Sequence, residues 1–331
     1  MDNYKFVINL DDHEGSGILT KYRYAENGEI EEEMSAVQDG EGAHLLYNCT
    51  DTVMNKVPSI KTHDEASAMM HEHRRGYEIF FIDSGNMHLY IDGVRTVVAT
   101  GDILQLQPSQ PHAMASSEDV KFRGFFHDLD SFASSIQTQK LVEFWPEAGE
   151  DPDFRAMSMG KDHIKHERPY YIEAPSTQVH AVKNPNRPMQ SYELEGATVK
   201  IIVPRWEDGG VCECICVDME PGFTATWKKY PQNRELFYVR NGKVKFTICG
   251  KEFIATKGCI VNVPRFADHS LVALEKSEVY EIHAQTYWFS FLQNYESIRK
   301  QFPERLENPE TLVELKAKFG CEIDSIGMTS I

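Results

Sequence analysis

The feature that most constrains this chain is an internal duplication. Laid over itself, the 331-residue sequence aligns Glu78, Gly85, Gly93, Gly101 and His112 with Glu235, Gly242, Gly250, Gly258 and His269. Each pair is separated by 157 positions (235 − 78), with no insertion between the first pair and the last. A constant offset of this kind means that one structural unit occurs twice. Between the marked glycines both copies read as short strands: residues 78–85 are Glu-Ile-Phe-Phe-Ile-Asp-Ser-Gly and residues 235–242 are Glu-Leu-Phe-Tyr-Val-Arg-Asn-Gly. Runs of β-branched and aromatic residues stopped by Ser-Gly, Asp-Gly or Asn-Gly predict antiparallel hairpins whose tight turns need positive φ, which glycine adopts without steric cost. Several such strands per copy predict a small sandwich or barrel, and a closed barrel also removes most exposed sheet edges.

Composition narrows the partners. The chain carries 51 acidic and 34 basic residues, a formal charge of −17, so a phosphate backbone meets repulsion and nucleic acid is excluded as an expected partner. No apolar run is long enough to cross a bilayer, and Met1-Asp2-Asn3-Tyr4-Lys5 has neither the basic nor the apolar region of a secretory signal, so no membrane is expected and a cytoplasmic location is the default. Seven cysteines, an odd number, suit a reducing compartment. Cys212, Cys214 and Cys216 alternate along one strand face, where sulfurs lie in a row rather than a tetrahedron; they are expected to pack as small hydrophobes rather than to bind zinc.

Around the repeats the chain divides into an N-terminal strand arm (1–55), a first barrel (56–127), a linker with a helix (128–190), a second barrel (191–287) and a helical tail (288–331). Leu129, Phe132, Ile136, Leu141 and Phe144 carry the helical spacing between Asp128 and Trp145. Residues 146–188, rich in proline, histidine and tyrosine, read as an irregular connection, and His163 and His166 within it read as exposed loop residues. In the tail, Phe289, Leu292, Tyr295 and Ile298 continue a helical spacing, and Pro309 opens a second helix running to Phe319.

The chemistry concentrates in the first copy. His71 and His73 stand at i and i+2, which on a strand puts both imidazoles on one face. Glu78 follows five residues later, and His112 comes from a strand beyond Gly101 that ends in Pro108-Ser109-Gln110-Pro111. Three neutral imidazoles and one carboxylate suit a divalent metal with positions left open for substrate. Tyr77, Arg74 and Arg75 flank these residues, Tyr77 and Arg74 being the candidate substrate contacts. His63 and His127 are candidates for outer support or surface positions. In the second copy the 157 offset puts Lys228 and Tyr230 where the first has His71 and His73, leaving Glu235 and His269 as a buried polar pair or part of an organic-ligand pocket, without metal.

These motifs resemble those of the cupin superfamily, in which His-x-His, Glu and Gly form a first motif and Gly, Pro and His a second. His71, His73, Glu78 and Gly85 fit the first; Gly101, Pro108 and His112 fit the second, with Ser109 standing where a glycine is usual. In the second copy Gly258, Pro264 and His269 fit, with Phe266 in the glycine's place. The resemblance covers roughly residues 60–125 and 217–285 and implies an all-β chain of two tandem cupin barrels, each a jelly-roll-like double-stranded β-helix, with an inter-barrel helix and a short C-terminal helical segment: a bicupin.

The resemblance further implies one divalent metal per chain, Fe(II) or Mn(II) ahead of Zn(II) or Ni(II), held by His71, His73, Glu78 and His112, with Glu78 also placed to move a proton. The leading functional expectation is a metal-dependent enzyme acting on a small oxygen-rich or aromatic metabolite, with a dioxygenase ahead of a lyase or isomerase. The competing reading is a sugar-like binding or sensor module, since the first copy also resembles the arabinose-binding barrel of bacterial activators; against it, the acidic tail offers no DNA-reading helix. A homodimer is expected from pairing of barrel edges.

Overall fold

The computed structural model describes residues 7–9, 18–24, 30–36, 47–54, 70–73, 77–116, 120–127, 163–165, 171–209, 212–227, 235–263, 267–284, 288–319, 323–326 and 329–330. They fall into two compact units, one of residues 18–184 and one of residues 1–17 with 185–331. The helix expected between Asp128 and Trp145 lies outside the described residues.

Strand β1 (Val7–Asn9) pairs into the second unit, opposite Cys259–Val261. The first unit contains β2 (Ile18–Tyr24), β3 (Ile30–Ala36), β4 (Tyr47–Met54), β5 (His71–His73), β6 (Tyr77–Ser84), β7 (Asn86–Ile91), β8 (Val94–Ala99), β9 (Ile103–Leu106), β10 (His112–Ser116), β11 (Val120–His127), β12 (His163–Lys165), β13 (Ile172–Glu173) and β14 (Val182–Lys183). One sheet runs β14-β9-β6-β11-β4-β2-β3 and the other β12-β5-β10-β7-β8-β13. The alternation seen in the sequence becomes an inner face: Phe80, Ile82, Met87, Leu89, Ile91, Val98, Leu104, Leu106, Val120 and Phe122 form one buried cluster. Phe80 and Phe122 meet edge to face, ring centroids 5.6 Å apart.

The second unit repeats the plan with β15 (Gln190–Leu194), β16 (Ala197–Val203), β17 (Cys212–Met219), β18 (Thr224–Trp227), β19 (Glu235–Asn241), β20 (Lys243–Ile248), β21 (Lys251–Thr256), β22 (Cys259–Val263), β23 (His269–Ala273) and β24 (Ser277–Ala284), followed by helices α1 (Trp288–Gln301) and α2 (Pro309–Phe319) and strands β25 (Ile323–Ile326) and β26 (Thr329–Ser330). Its sheets run β1-β22-β19-β24-β17-β16-β15 and β21-β20-β23-β18-β25-β26. The neighbours β9-β6-β11-β4 therefore match β22-β19-β24-β17, and β10-β7-β8 matches β23-β20-β21, so the duplication is one of topology as well as sequence. Even the hairpin turns agree. Asp92 and Gly93 have φ of 51° and 73°, and Cys249 and Gly250 have φ of 49° and 76°. Two successive left-handed residues are what a tight hairpin needs for its twist to match the strands it joins.

Both tail helices form where the sequence spacing put them. Phe289, Phe291 and Leu292 of α1 and Leu315 of α2 pack into the second unit's core beside Ile215, Phe237 and Val263. The carboxylate of the buried Glu213 accepts the backbone N–H of Phe289 at 3.2 Å, putting a negative charge at the start of α1. Asn308 caps α2 by accepting the N–H of Glu310 at 3.0 Å, one residue ahead of a proline at the first helical position. Cys214 and Cys216 are fully buried thiols, and burial pushes Cys216 well above the usual thiol range, as packing residues would be.

Candidate metal centre

Strand β5 is three residues long, and its position comes from its neighbours. His71 is paired with His112 of β10, and the backbone N–H of Ser109 reaches the carbonyl of His73 at 2.6 Å. Ser109 adopts φ of 59°, the left-handed conformation for which glycine is usual at this point of the motif, so the turn keeps its shape despite the substitution. A left-handed L-residue costs about 1–2 kcal/mol, which the contacts around the turn offset.

The consequence is convergence. One ligand atom each from His71, His73 and His112 lie within 4.8 Å of one another. Ring centroids are 4.4 Å apart for His71 and His112, and 5.1 Å for His71 and His73. Glu78, on β6, closes the group: its Oε1 is 3.1 Å from His73 Nε2 and its Oε2 is 3.3 Å from His112 Nε2. His73, Glu78 and His112 are 4%, 4% and 1% exposed, while His71 is half-buried and marks the open side. His112 Nδ1–H donates to the Gln110 carbonyl at 2.9 Å, which leaves Nε2 with its lone pair turned toward the others.

Burial alone would push the Glu78 carboxyl up, but the charge of His73 and hydrogen bonds from His112 and His73 outweigh it and hold the group well below the usual carboxylate range. A buried carboxylate 3.1 Å and 3.3 Å from two imidazoles, with a third imidazole nitrogen converging on the same place, is a donor set that fits a divalent cation. Tyr77 begins β6 beside this group; Arg74 and Arg75 lie outside the described residues, as does His63.

In the second unit the same positions give a different arrangement. His269 Nδ1–H again donates to a carbonyl, that of Ala267, at 3.1 Å, the counterpart of Gln110. Its Nε2 meets Glu235 Oε2 directly at 2.6 Å, both side chains almost fully enclosed. Burial would lower the His269 pKa, yet the charge of and hydrogen bond to Glu235, with the nearby Glu281, raise it above the ordinary imidazole value. Lys228 and Tyr230 lie outside the described residues. The strand register nonetheless puts Trp227, one residue short of the 157 offset, opposite His269 where His71 stands opposite His112.

The sequence missed the short strands β12, β13 and β14 of the linker and β25 and β26 of the tail. His163, read as an exposed loop residue, begins β12, a strand paired directly with β5: His163 is opposite His73 and Lys165 opposite His71. Three residues without alternation carry no strand signal of their own.

Comparison with known proteins agrees with this geometry. Residues 61–126 match the family profile described as Cupin domain, and residues 211–285 match one described as Mif2/CENP-C like. No curated protein sequence matches. Among solved structures, a single-residue variant of Bacillus subtilis oxalate decarboxylase superposes with a TM-score of 0.52 at 15% identity, covering 85% of this chain and 77% of that one. The same enzyme at pH 4.6 gives 0.51 at 15% identity, over 85% and 76%. A third structure, described for the Mn(II) centres of that enzyme, gives 0.52 at 14%, over 85% and 77%. Duplicated motif, duplicated topology and these matches together give the chain the fold of two tandem cupin barrels, with a cupin-profile match over the first.

Proposed function

We propose that this protein is a metal-dependent bicupin enzyme acting on a small oxygen-bearing metabolite at the first barrel, with His71, His73, Glu78 and His112 as ligands. The observation that carries the reading is their convergence. A bound divalent ion supplies Lewis-acid polarisation of a substrate carbonyl or carboxylate oxygen. The chain's own residues do the rest. The Gln110 carbonyl fixes the His112 tautomer, and Ser109 ties the His73 backbone in place. Glu78 stays ionised as a ligand, and is the group placed to accept a proton if it is released. Leu106, opposite Glu78, and Ile91, opposite His112, continue from the cluster into the barrel's buried apolar core.

For the reaction we place a lyase of the decarboxylating type first. The sequence reading put oxygenation ahead; the decarboxylases that share the fold support the other order, although fold alone does not carry function. The dioxygenase of the sequence reading stands second. Elemental analysis of protein purified without added metal, followed by CO2-release and O2-uptake assays on the Mn(II)- and Fe(II)-loaded chain with small carboxylates and phenols, separates these readings. Metal-dependent CO2 release without O2 uptake supports the lyase, stoichiometric O2 uptake the dioxygenase, and absence of metal from the wild-type chain removes both. A homodimer is proposed from the sequence reading and is checked by light scattering. No helix among the described residues is long and apolar enough to cross a membrane.

A further inference from the structure

The candidate ligands sit on β5, β6 and β10, and the loop leading into β10, residues 107–111, touches two of them through its backbone. The Ser109 N–H donates to the carbonyl of His73 at 2.6 Å, and the Gln110 carbonyl accepts His112 Nδ1–H at 2.9 Å. What fixes this loop is the Gln110 side chain. Its Oε1 accepts the backbone N–H of Gln107 at 3.2 Å, closing the loop on itself, and its Nε2 donates to Asp92 Oδ2 at 2.8 Å. A backbone N–H donates and an ionised carboxylate accepts, so the amide has one orientation that serves both. The far end is anchored too. Asp92, with φ of 51°, opens the turn between β7 and β8, and Ile91 just before it is paired with His112. One amide thus joins the β7–β8 turn, the loop before β10 and, through Ser109, the end of β5.

The second unit offers a direct comparison. The offset of 157 puts Cys249 in the place of Asp92 and Ala267 in that of Gln110. The Ala267 carbonyl still accepts His269 Nδ1–H at 3.1 Å, but its methyl group cannot bridge to the turn. There the tie is made by backbone alone, the Cys249 N–H donating to the Asp268 carbonyl at 2.9 Å. The unit that gathers three imidazoles has the side-chain bridge; the unit in which one histidine closes on one carboxylate does without it. A direct ion pair sets its own geometry, whereas donors shared by a metal must be held at ligand distance by the groups behind them.

We propose that Gln110 and Asp92 are positioning residues for the first unit's metal centre, their amide–carboxylate bond setting where His112 and His73 present their nitrogens. The inference rests on the metal reading above and works through the backbone, neither side chain being a ligand. Groups that orient metal-bound histidines from outside are worth about 10–100-fold in metal affinity. This bridge lies one step further out and faces solvent, which puts it at the lower end, about tenfold.

The test measures Co(II) affinity of the full chain by chelator competition, together with the visible bands of the Co(II)-saturated chain, which report ligand geometry. Gln110→Glu keeps an acceptor for Gln107 but sets two carboxylates face to face, and Gln110→Ala copies the second unit. Each is expected to weaken Co(II) about tenfold and to change the visible bands. Asp92→Asn keeps an acceptor for the Gln110 amide, suits the positive φ and is expected to bind as wild type does. Gln110→Glu combined with Asp92→Asn exchanges donor and acceptor, and is expected to recover most of the affinity. Thr100→Ala removes a comparable exposed bond, from Thr100 Oγ1 to the Gly85 carbonyl at 3.0 Å, at the other end of the same strands, and is expected to leave Co(II) binding unchanged. Wild-type affinity in both Gln110 variants, or an unchanged spectrum beside weakened binding, overturns the proposal. So does a loss that the double variant fails to recover or that Thr100→Ala reproduces, which would make the bond a general support of the fold. A wild-type chain that takes up no Co(II) overturns the metal reading and this inference with it, a result distinct from failure confined to the variants.

Discussion

The two barrels are built from the same strand order and the same turns, yet one gathers four metal-type donors and the other ends in a closed ion pair. Each keeps the glutamate, the second-motif histidine and the carbonyl that fixes the histidine's tautomer. What differs is the short strand that completes the site. In the first unit it carries His71 and His73, and the Glu78 carboxylate is shared between His73 at 3.1 Å and His112 at 3.3 Å rather than closed in one tight bond. In the second, where Trp227 replaces the first histidine in register, Glu235 and His269 close on each other at 2.6 Å. A scaffold tolerates either outcome because a buried charge needs only some partner: a cation shared among several donors, or one well-placed counter-charge.

The largest test of this contrast is a matched pair of deletions. His112→Ala is expected to lower bound metal by more than about 100-fold in affinity and to abolish turnover, while His269→Ala leaves metal content unchanged. Equal metal loss in both, measured by elemental analysis, breaks the asymmetry.

The next concerns the shared turns. A Cβ on Gly242 would fall 2.5 Å from the Lys276 carbonyl oxygen and against Ser277, in a backbone of φ 90°, so Gly242→Ala is expected to cost about 3 kcal/mol in the second unit. Gly250, with φ of 76° and nothing within 4 Å, isolates the backbone strain, and Gly250→Ala should cost only about 1 kcal/mol. Denaturant midpoints separate the two, and equal effects would mean that the contact, not the conformation, has been misjudged.

The ion pair gives a pH signature. The folded His269 pKa lies above its unfolded value of about 6.5. The stabilisation is therefore complete below that value and is lost as pH rises through the folded pKa. The second unit should weaken between neutral and alkaline pH, and Glu235→Gln should flatten the dependence; a flat wild-type profile would show that the pair is not charged.

Smallest is Ser109→Gly, which relieves a left-handed residue at the turn holding β5 and should stabilise the first unit by about 1 kcal/mol or less. Reduced metal affinity in that variant would reveal that the serine's rigidity positions His73.

Much of this was legible in the chain. The strands between Glu78 and His112 and between Glu235 and His269, their hairpin turns, and helices α1 and α2 all follow from short-range signals: period-two alternation, positive-φ glycines, a proline at a helix start. The candidate ligands could be named because His71, His73, Glu78 and His112 follow one motif within one repeat, and the structure brings them together. Other features could not. That Ser109 would hold a glycine conformation, that Trp227 rather than Lys228 stands opposite His269, and that β12 and β25 pair with the equivalent strands β5 and β18 depend on which backbone groups remain unpaired once the barrels form. Neither three residues of linker nor four of tail encode that by themselves. Local patterns determined that there are two barrels and which one has the donors; long-range pairing decided how the donors are held, because an exposed strand edge takes whatever chain segment reaches it in register.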